Sequence, residues 1–136
     1  MPFTELGPGT LEINSGDYSC EVLGASIGHE YAEVGEQRTM LCGEKRQAKR
    51  ERTDSLTVSL ENDLTSTGLY PYLVGLGDDP DAVTFTYTPN TADGASWSGS
   101  IFPLLPSSIG ADEYSAPISS EITFPGDGAF TFTAAA

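Results

Sequence analysis

Positive charge is scarce in this chain and confined to one stretch. Its 136 residues include six Lys and Arg against twenty Asp and Glu, a net charge of −14. All six bases, Arg38, Lys45, Arg46, Lys49, Arg50 and Arg52, fall between positions 38 and 52, where Glu44 and Glu51 are the only acids. Elsewhere the chain carries acids and no base. Phosphates would meet a repelling field over most of such a surface, which argues against the whole domain binding nucleic acid.

Histidine and cysteine are scarcer still, with one His and two Cys. That set cannot build a structural zinc site without carboxylate help, and no metal-ligand spacing is present. No apolar run approaches the roughly twenty residues that span a bilayer, so no membrane partner is expected. The opening MPFTELGPGT lacks the basic and apolar regions of a secretory signal. A chain folded in a cytoplasm is expected, with Cys20 and Cys42 as reduced, partly buried thiols.

What is present is the vocabulary of strands and turns. Thr, Ser, Val, Tyr and Phe recur between fifteen Gly and nine Pro, a mixture that favours short strands. The length suits a single domain, 1–136. Gly9 to Asn14 reads as a first strand and Tyr18 to Tyr31 as a long one. In the long strand Cys20 and Val22 share one face and Leu23, Ala25 and Ile27 the other, so the phase slips near Gly24, as at a β-bulge. Leu56, Val58 and Leu60 alternate with Thr57, Ser59 and Glu61, the cleanest period-two pattern in the chain. Leu69, Tyr72, Leu73 and Leu76 then form one helical stripe. The helix is expected over about 66–76, capped by Ser66 or Thr67, with Pro71 in its first turn and Gly77 ending it. Val83, Phe85 and Tyr87 resume alternation, PNTADG (89–94) is a hairpin turn, and Trp97 to Leu104 is the returning strand. Ile118, Ile122 and Phe124 share a strand face before PGDG (125–128) turns the chain into AFTFT. Seven or eight strands with one inserted helix predict a mainly β fold, a sandwich or small barrel whose edges need covering.

Catalytic signatures fail on context. GASIG (24–28) matches the G-x-S-x-G elbow, but Ser26 lies within a strand and the only histidine, His29, follows three residues later. His29 reads as a surface or interface side chain. Asp78, Asp79 and Asp81 lack the spacing and bidentate Glu of a calcium loop and read as a solvated turn. Neither a Walker loop nor a dinucleotide fingerprint occurs. The expectation is no enzyme, catalytic residue, cofactor or metal.

The basic stretch GEKRQAKRERTD (43–54) admits three readings. As an isolated helix it would set Lys45 against Lys49 and Arg46 against Arg50, like charges at i, i+4 without an apolar stripe, so a mobile loop is expected. As a nucleic-acid arm it lacks interleaved aromatics. As a docking element for acidic protein surface, its best-supplied partner is another copy of this chain. Such head-to-tail contact generates rings or open filaments.

In their order, GPGTLEI, DYSCEV, MLCGEKR, DSLTVSLENDL with LYPYLVGL, VTFTYTPN and ITFPGDGAF resemble the tail tube (major tail) proteins of long, non-contractile-tailed bacteriophages, most closely those of actinobacterial phages. The resemblance spans nearly the whole chain. It implies a tail-tube-type β-sandwich with a flanking helix, six copies per ring, and four strands per copy joining a barrel around a lumen. Rings stack into a conduit for genome ejection, and the type VI secretion tube and baseplate hub proteins look similar in fold. It further implies a virion location after assembly in the host cytoplasm. The implied partners are the chain itself and the tail terminator, tape measure and distal tail proteins, with genomic DNA passing through unbound. In that family the loop after the second long strand reaches the next ring, which would make Arg38, Lys45, Arg46, Lys49, Arg50 and Arg52 inter-ring contacts. The alternatives are a tail terminator or connector ring of the same fold, or a nucleic-acid-binding accessory protein using the basic arm.

Overall fold

In a computed structural model, residues 4–35, 37–46 and 49–135 are described, apart from the side chains of Glu33, Val34 and Lys49. Gln47 and Ala48, inside the expected loop, lie outside the described residues. The strands are β1 (Thr10–Ile13), β2 (Gly16–Asp17), β3 (Val22–Val34), β4 (Arg38–Thr39), β5 (Lys45–Arg46), β6 (Lys49–Glu61), β7 (Val83–Thr88), β8 (Ser96–Ile101), β9 (Ile109–Gly110), β10 (Ser119–Pro125) and β11 (Thr131–Thr133). One α-helix, α1 (Leu69–Gly75), follows β6.

Two sheets enclose the core. One has the order β11-β8-β7-β1-β2 and the other β3-β6-β10-β9. Leu11, Ile13, Phe85, Tyr87 and Ile101 face inward from the first sheet. Leu56, Val58, Leu60, Ile122 and Phe124 answer from the second. The alternation read at Leu56–Leu60 arises because strand side chains alternate between faces and only one face of each sheet meets the other. The expected β-sandwich is therefore what forms.

The phase slip near Gly24 is a β-bulge. Val22 pairs with Leu60 and Gly24 with Ser59, leaving Leu23 as the extra residue. Below it the register is regular from Ala25↔Val58 through Ile27↔Leu56 and His29↔Asp54 to Val34↔Lys49.

Several boundaries differ from expectation. The long strand starts at Val22, because Ser19–Glu21 forms a short 3-10 turn. The returning strand ends at Ile101, not Leu104. Helix α1 begins at Leu69 with Gly68 at its N-cap, and neither Ser66 nor Thr67 caps it. The Glu21 carboxylate does so from a distance: Oε2 accepts from Leu69 N at 2.9 Å and Oε1 from Asp63 N at 2.7 Å. A carboxylate at a helix N-terminus satisfies an orphan N–H and meets the positive end of the dipole. Gly68 is required there, since a Cβ would stand 1.7 Å from the Asp63 carbonyl oxygen. Gly77, at φ +85°, ends the helix as expected. Cys20 and Cys42 are free but exposed, not partly buried, one in the 3-10 turn and the other in the β4–β5 turn.

The largest correction concerns the basic stretch. Lys49 to Asp54 form the first half of β6, paired with Glu30–Val34 and His29 of β3. Lys45 and Arg46 form β5 against β4, with Arg38 opposite Arg46. The repulsion that disfavours a helix is side-stepped, because in a strand these residues make ladder bonds to a neighbour instead of stacking at i, i+4.

Candidate functional site: a polar sheet face and its anchored arm

The second sheet has two unlike faces. Residues directly paired across strands point the same way, so the face turned from the core is read from the register. It carries Ser26, Gly28, Glu30 and Ala32 from β3 and Glu51, Thr53, Ser55, Thr57, Ser59 and Glu61 from β6. From β10 it carries Ser119, Glu121 and Thr123. Among the described residues of this face the side chains are small or acidic. Thr57 Oγ1 and Thr123 Oγ1 lie 3.1 Å apart across the strands. An acidic surface of this kind repels phosphate.

The sheet is open at its edges. Every residue of β3 except the bulged Leu23 pairs with β6, on one side only, and β9 covers only Ser119 and Ser120 of β10. A long strand edge exposes unpaired N–H and C=O groups and templates pairing with another chain.

Where the sandwich ends, β3 and β6 continue as an arm, anchored at one buried carboxylate. Asp54 is fully buried. Its Oδ1 accepts from His29 Nδ1 at 2.6 Å and meets Arg52 Nε at 3.1 Å. Its Oδ2 accepts from Phe130 N at 2.7 Å, and its backbone carbonyl from Gly126 N at 2.8 Å. Arg52 Nη2 also donates to the Phe130 carbonyl at 3.2 Å. Burial alone would raise the Asp54 pKa, but the His29 bond, the Phe130 N–H and the Arg52 charge outweigh it and hold it below the ordinary 3.8. One carboxylate thus ties β3, β6 and the segment entering β11 together at the root of the arm.

This anchor was missed in the sequence, although a signal exists. Arg52 and Asp54 continue the even-numbered phase of Leu56, Val58 and Leu60, so an acid lies in line with the core. The sequence-predicted basic residues are divided by the structure. Arg52 turns back onto Asp54 and Phe130. Arg38, Lys45 and Arg46 are exposed on the β4–β5 hairpin beyond the arm, and Arg50 is exposed on the arm itself. The Lys49 side chain lies outside the described residues.

The elbow-like GASIG is not assembled into a catalytic set. Ser26 points to the outward face and His29 to the face of Asp54, on opposite sides of β3. His29 is an exposed side chain, as expected, and its ring is also part of the anchor. Among the described residues no group of three His, Cys, Asp or Glu is placed to hold a metal, and no helix is long and apolar enough to cross a membrane.

The fold has a counterpart in a virion. The chain shares its fold with a chain of the virion of a native gene transfer agent (GTA) particle. The two are 17% identical with a TM-score of 0.57, over 93% of this chain and 95% of that one. No protein-family model and no curated protein sequence matches the chain.

Proposed function

We propose that this protein is a virion structural protein that self-assembles into stacked rings, most simply hexameric, forming a phage tail tube through which the genome is ejected. The observation that carries the reading is the four-stranded sheet. It combines an open thirteen-residue edge on β3 with a face whose described side chains are those of small and acidic residues, Ser, Thr, Gly, Ala and Glu. Strand pairing from β3 of one copy to the β10–β9 edge of the next would continue the sheet around a ring and close it as a barrel. Closure removes the edges that a lone copy leaves exposed. The outward face then lines the lumen, with Glu30, Glu51, Glu61 and Glu121 as its acids, and DNA slides past without being held. The fold shared with a chain of a virion supports this reading, as does the resemblance in the ordered motifs.

In this reading the arm and its hairpin reach the neighbouring ring. Arg38, Lys45, Arg46, Lys49 and Arg50 supply the inter-ring charge, while Arg52 roots the arm. Arg38 opposite Arg46 repels until acidic surface arrives, because like charges directly across a strand pair are destabilising. The basic hairpins of neighbouring copies repel one another likewise, which would hold isolated copies apart before assembly.

Electron microscopy of the purified protein tests the proposal. Tubes with a central channel are expected; single rings would favour a terminator or connector, and monomers at all concentrations would overturn self-assembly. Lys49→Glu with Arg50→Glu is expected to give a folded monomer that makes no tubes. Growth of wild-type tubes should change with salt, since exposed charges are screened over about 10 Å at 0.1 M.

A further inference from the structure

Along the core side of the β3 edge lies an open cleft of about 530 Å³, lined by His29, Arg52, Trp97, Phe130 and Phe132. Trp97 and Phe132 form its aromatic wall, their ring centroids 5.0 Å apart and tilted at 46°. Phe132 is 54% exposed, so its ring is open to a partner. Opposite stand a cation and an imidazole fixed by the anchor. The two contacts of Arg52 described above occupy two of its five N–H groups, and with His29 Nδ1 held by Asp54, Nε2 remains to bond elsewhere. A cleft so built suits a phenol flanked by carboxylate: ring against Trp97 and Phe132, hydroxyl on His29, acid on Arg52.

The same chain presents that chemistry at the opposite edge of the same sheet. Asp112, Glu113 and Tyr114, between β9 and β10, are all exposed, Tyr114 completely. The segment is a formed turn. Ala116 N bonds the Glu113 carbonyl at 3.2 Å, and Ser115 takes φ +67° to complete it. Nothing in its own subunit covers the Tyr114 ring.

We infer that the Asp112–Glu113–Tyr114 knob of one copy seats in the His29–Arg52–Trp97–Phe132 cleft of another. This rests on the self-assembly proposed above and names a contact within it. The contact is heterologous, knob to cleft, and so it repeats without closing on a two-fold axis. It also requires a shift along the strands. The knob lies just before Ser119, which pairs with Glu61, whereas the cleft lies at the level of Asp54. Those seven residues of β6 span about 23 Å at 3.3 Å per residue. A copy displaced by that much brings its acidic end, with Glu61, Asp63, Asp112 and Glu113, beside the basic arm of its neighbour. Knob seating and arm charge therefore favour the same displacement.

Site-directed cross-linking tests the contact in the full-length chain, with Cys20→Ser and Cys42→Ser removing the native thiols. Tyr114→Cys protein is mixed with Phe132→Cys protein under assembling conditions and oxidised. A disulfide-linked dimer is expected from the mixture and from neither variant alone. Assembly without that dimer overturns the knob-in-cleft contact and leaves the self-assembly reading standing; no assembly of the wild-type chain removes both. As a second measure, Tyr114→Ala, at a fully exposed position, should raise the concentration needed for assembly about tenfold, as for a central aromatic contact. Assembly at the wild-type concentration would count against the inference as directly as a missing cross-link.

Discussion

The two halves of β6 are one continuous strand with one continuous partner, yet different forces hold them. From Asp54 to Glu61 every second side chain is buried: Asp54, Leu56, Val58 and Leu60 are each no more than 1% exposed. From Lys49 to Thr53 the strand pairs with β3 but has no second sheet over it, and its described residues are exposed. Regular ladder geometry is thus common to both, whereas stability is concentrated in one. Backbone pairing shapes the arm, and side-chain burial secures only its root.

The strongest attempt to break that comparison is a large-to-small change in the buried half. Leu56→Ala should cost about 2–5 kcal/mol, from lost transfer energy and the cavity left against Phe124 across the strand pair. Urea unfolding of the isolated subunit reads it directly, and a loss under about 1 kcal/mol would mean that the sandwich is not what holds β6.

Next in size is the boundary residue. Asp54→Asn keeps the shape of the anchor but removes its charge, and about 2–3 kcal/mol should go, the scale of charged hydrogen bonds at a buried site. The dependence on pH sharpens the assignment. Because the folded-state pKa of Asp54 is depressed, its stabilisation is fully present above the ordinary 3.8 and fades as pH falls through the lower folded value. Asp17 and Asp63 are shifted in the same direction by their bonds to Ser19 and Thr65, so the wild-type acid limb alone is not diagnostic. The gap between wild type and Asp54→Asn should be constant near neutrality and narrow below pH 4. A gap independent of pH would remove the carboxylate from the anchor.

The smallest expected effect is at the far end. Lys45→Glu with Arg46→Glu should move the unfolding midpoint of the monomer by no more than about 0.5 kcal/mol, as for other exposed substitutions. The same pair should block tube formation if the arm reads an acidic neighbour. Loss of monomer stability would instead show that the hairpin is part of the fold.

The core was legible because its rule is local. Leu56–Leu60 and Val83–Tyr87 alternate with period two, Gly24 marks the bulge, and Gly77 marks the helix end. The basic stretch was misread beyond its charge. Charge repulsion spoke against a helix, but nothing local announced that Glu30–Val34 would extend β3 to pair with it. Glu21 escaped for a related reason: its partners, Asp63 and Leu69, lie more than forty positions away, and no spacing rule connects them. The knob and the cleft illustrate the same divide. DEYS reads as a loose loop, and His29, Arg52, Trp97 and Phe132 are scattered along the chain until two sheets bring them together.

By itself the sequence determined the class of fold, the segregation of all positive charge to residues 38–52 and the phase of the core strands. Periodicity, turn chemistry and charge are properties of neighbours in the chain, and they survive without the fold. Only the tertiary structure decided that the basic stretch is half strand, that Asp54 is its buried root, and that Glu30, Glu51, Glu61 and Glu121 share one polar face. Those facts depend on which strands pair and in what register, a choice made by burying apolar surface between two sheets far apart in sequence.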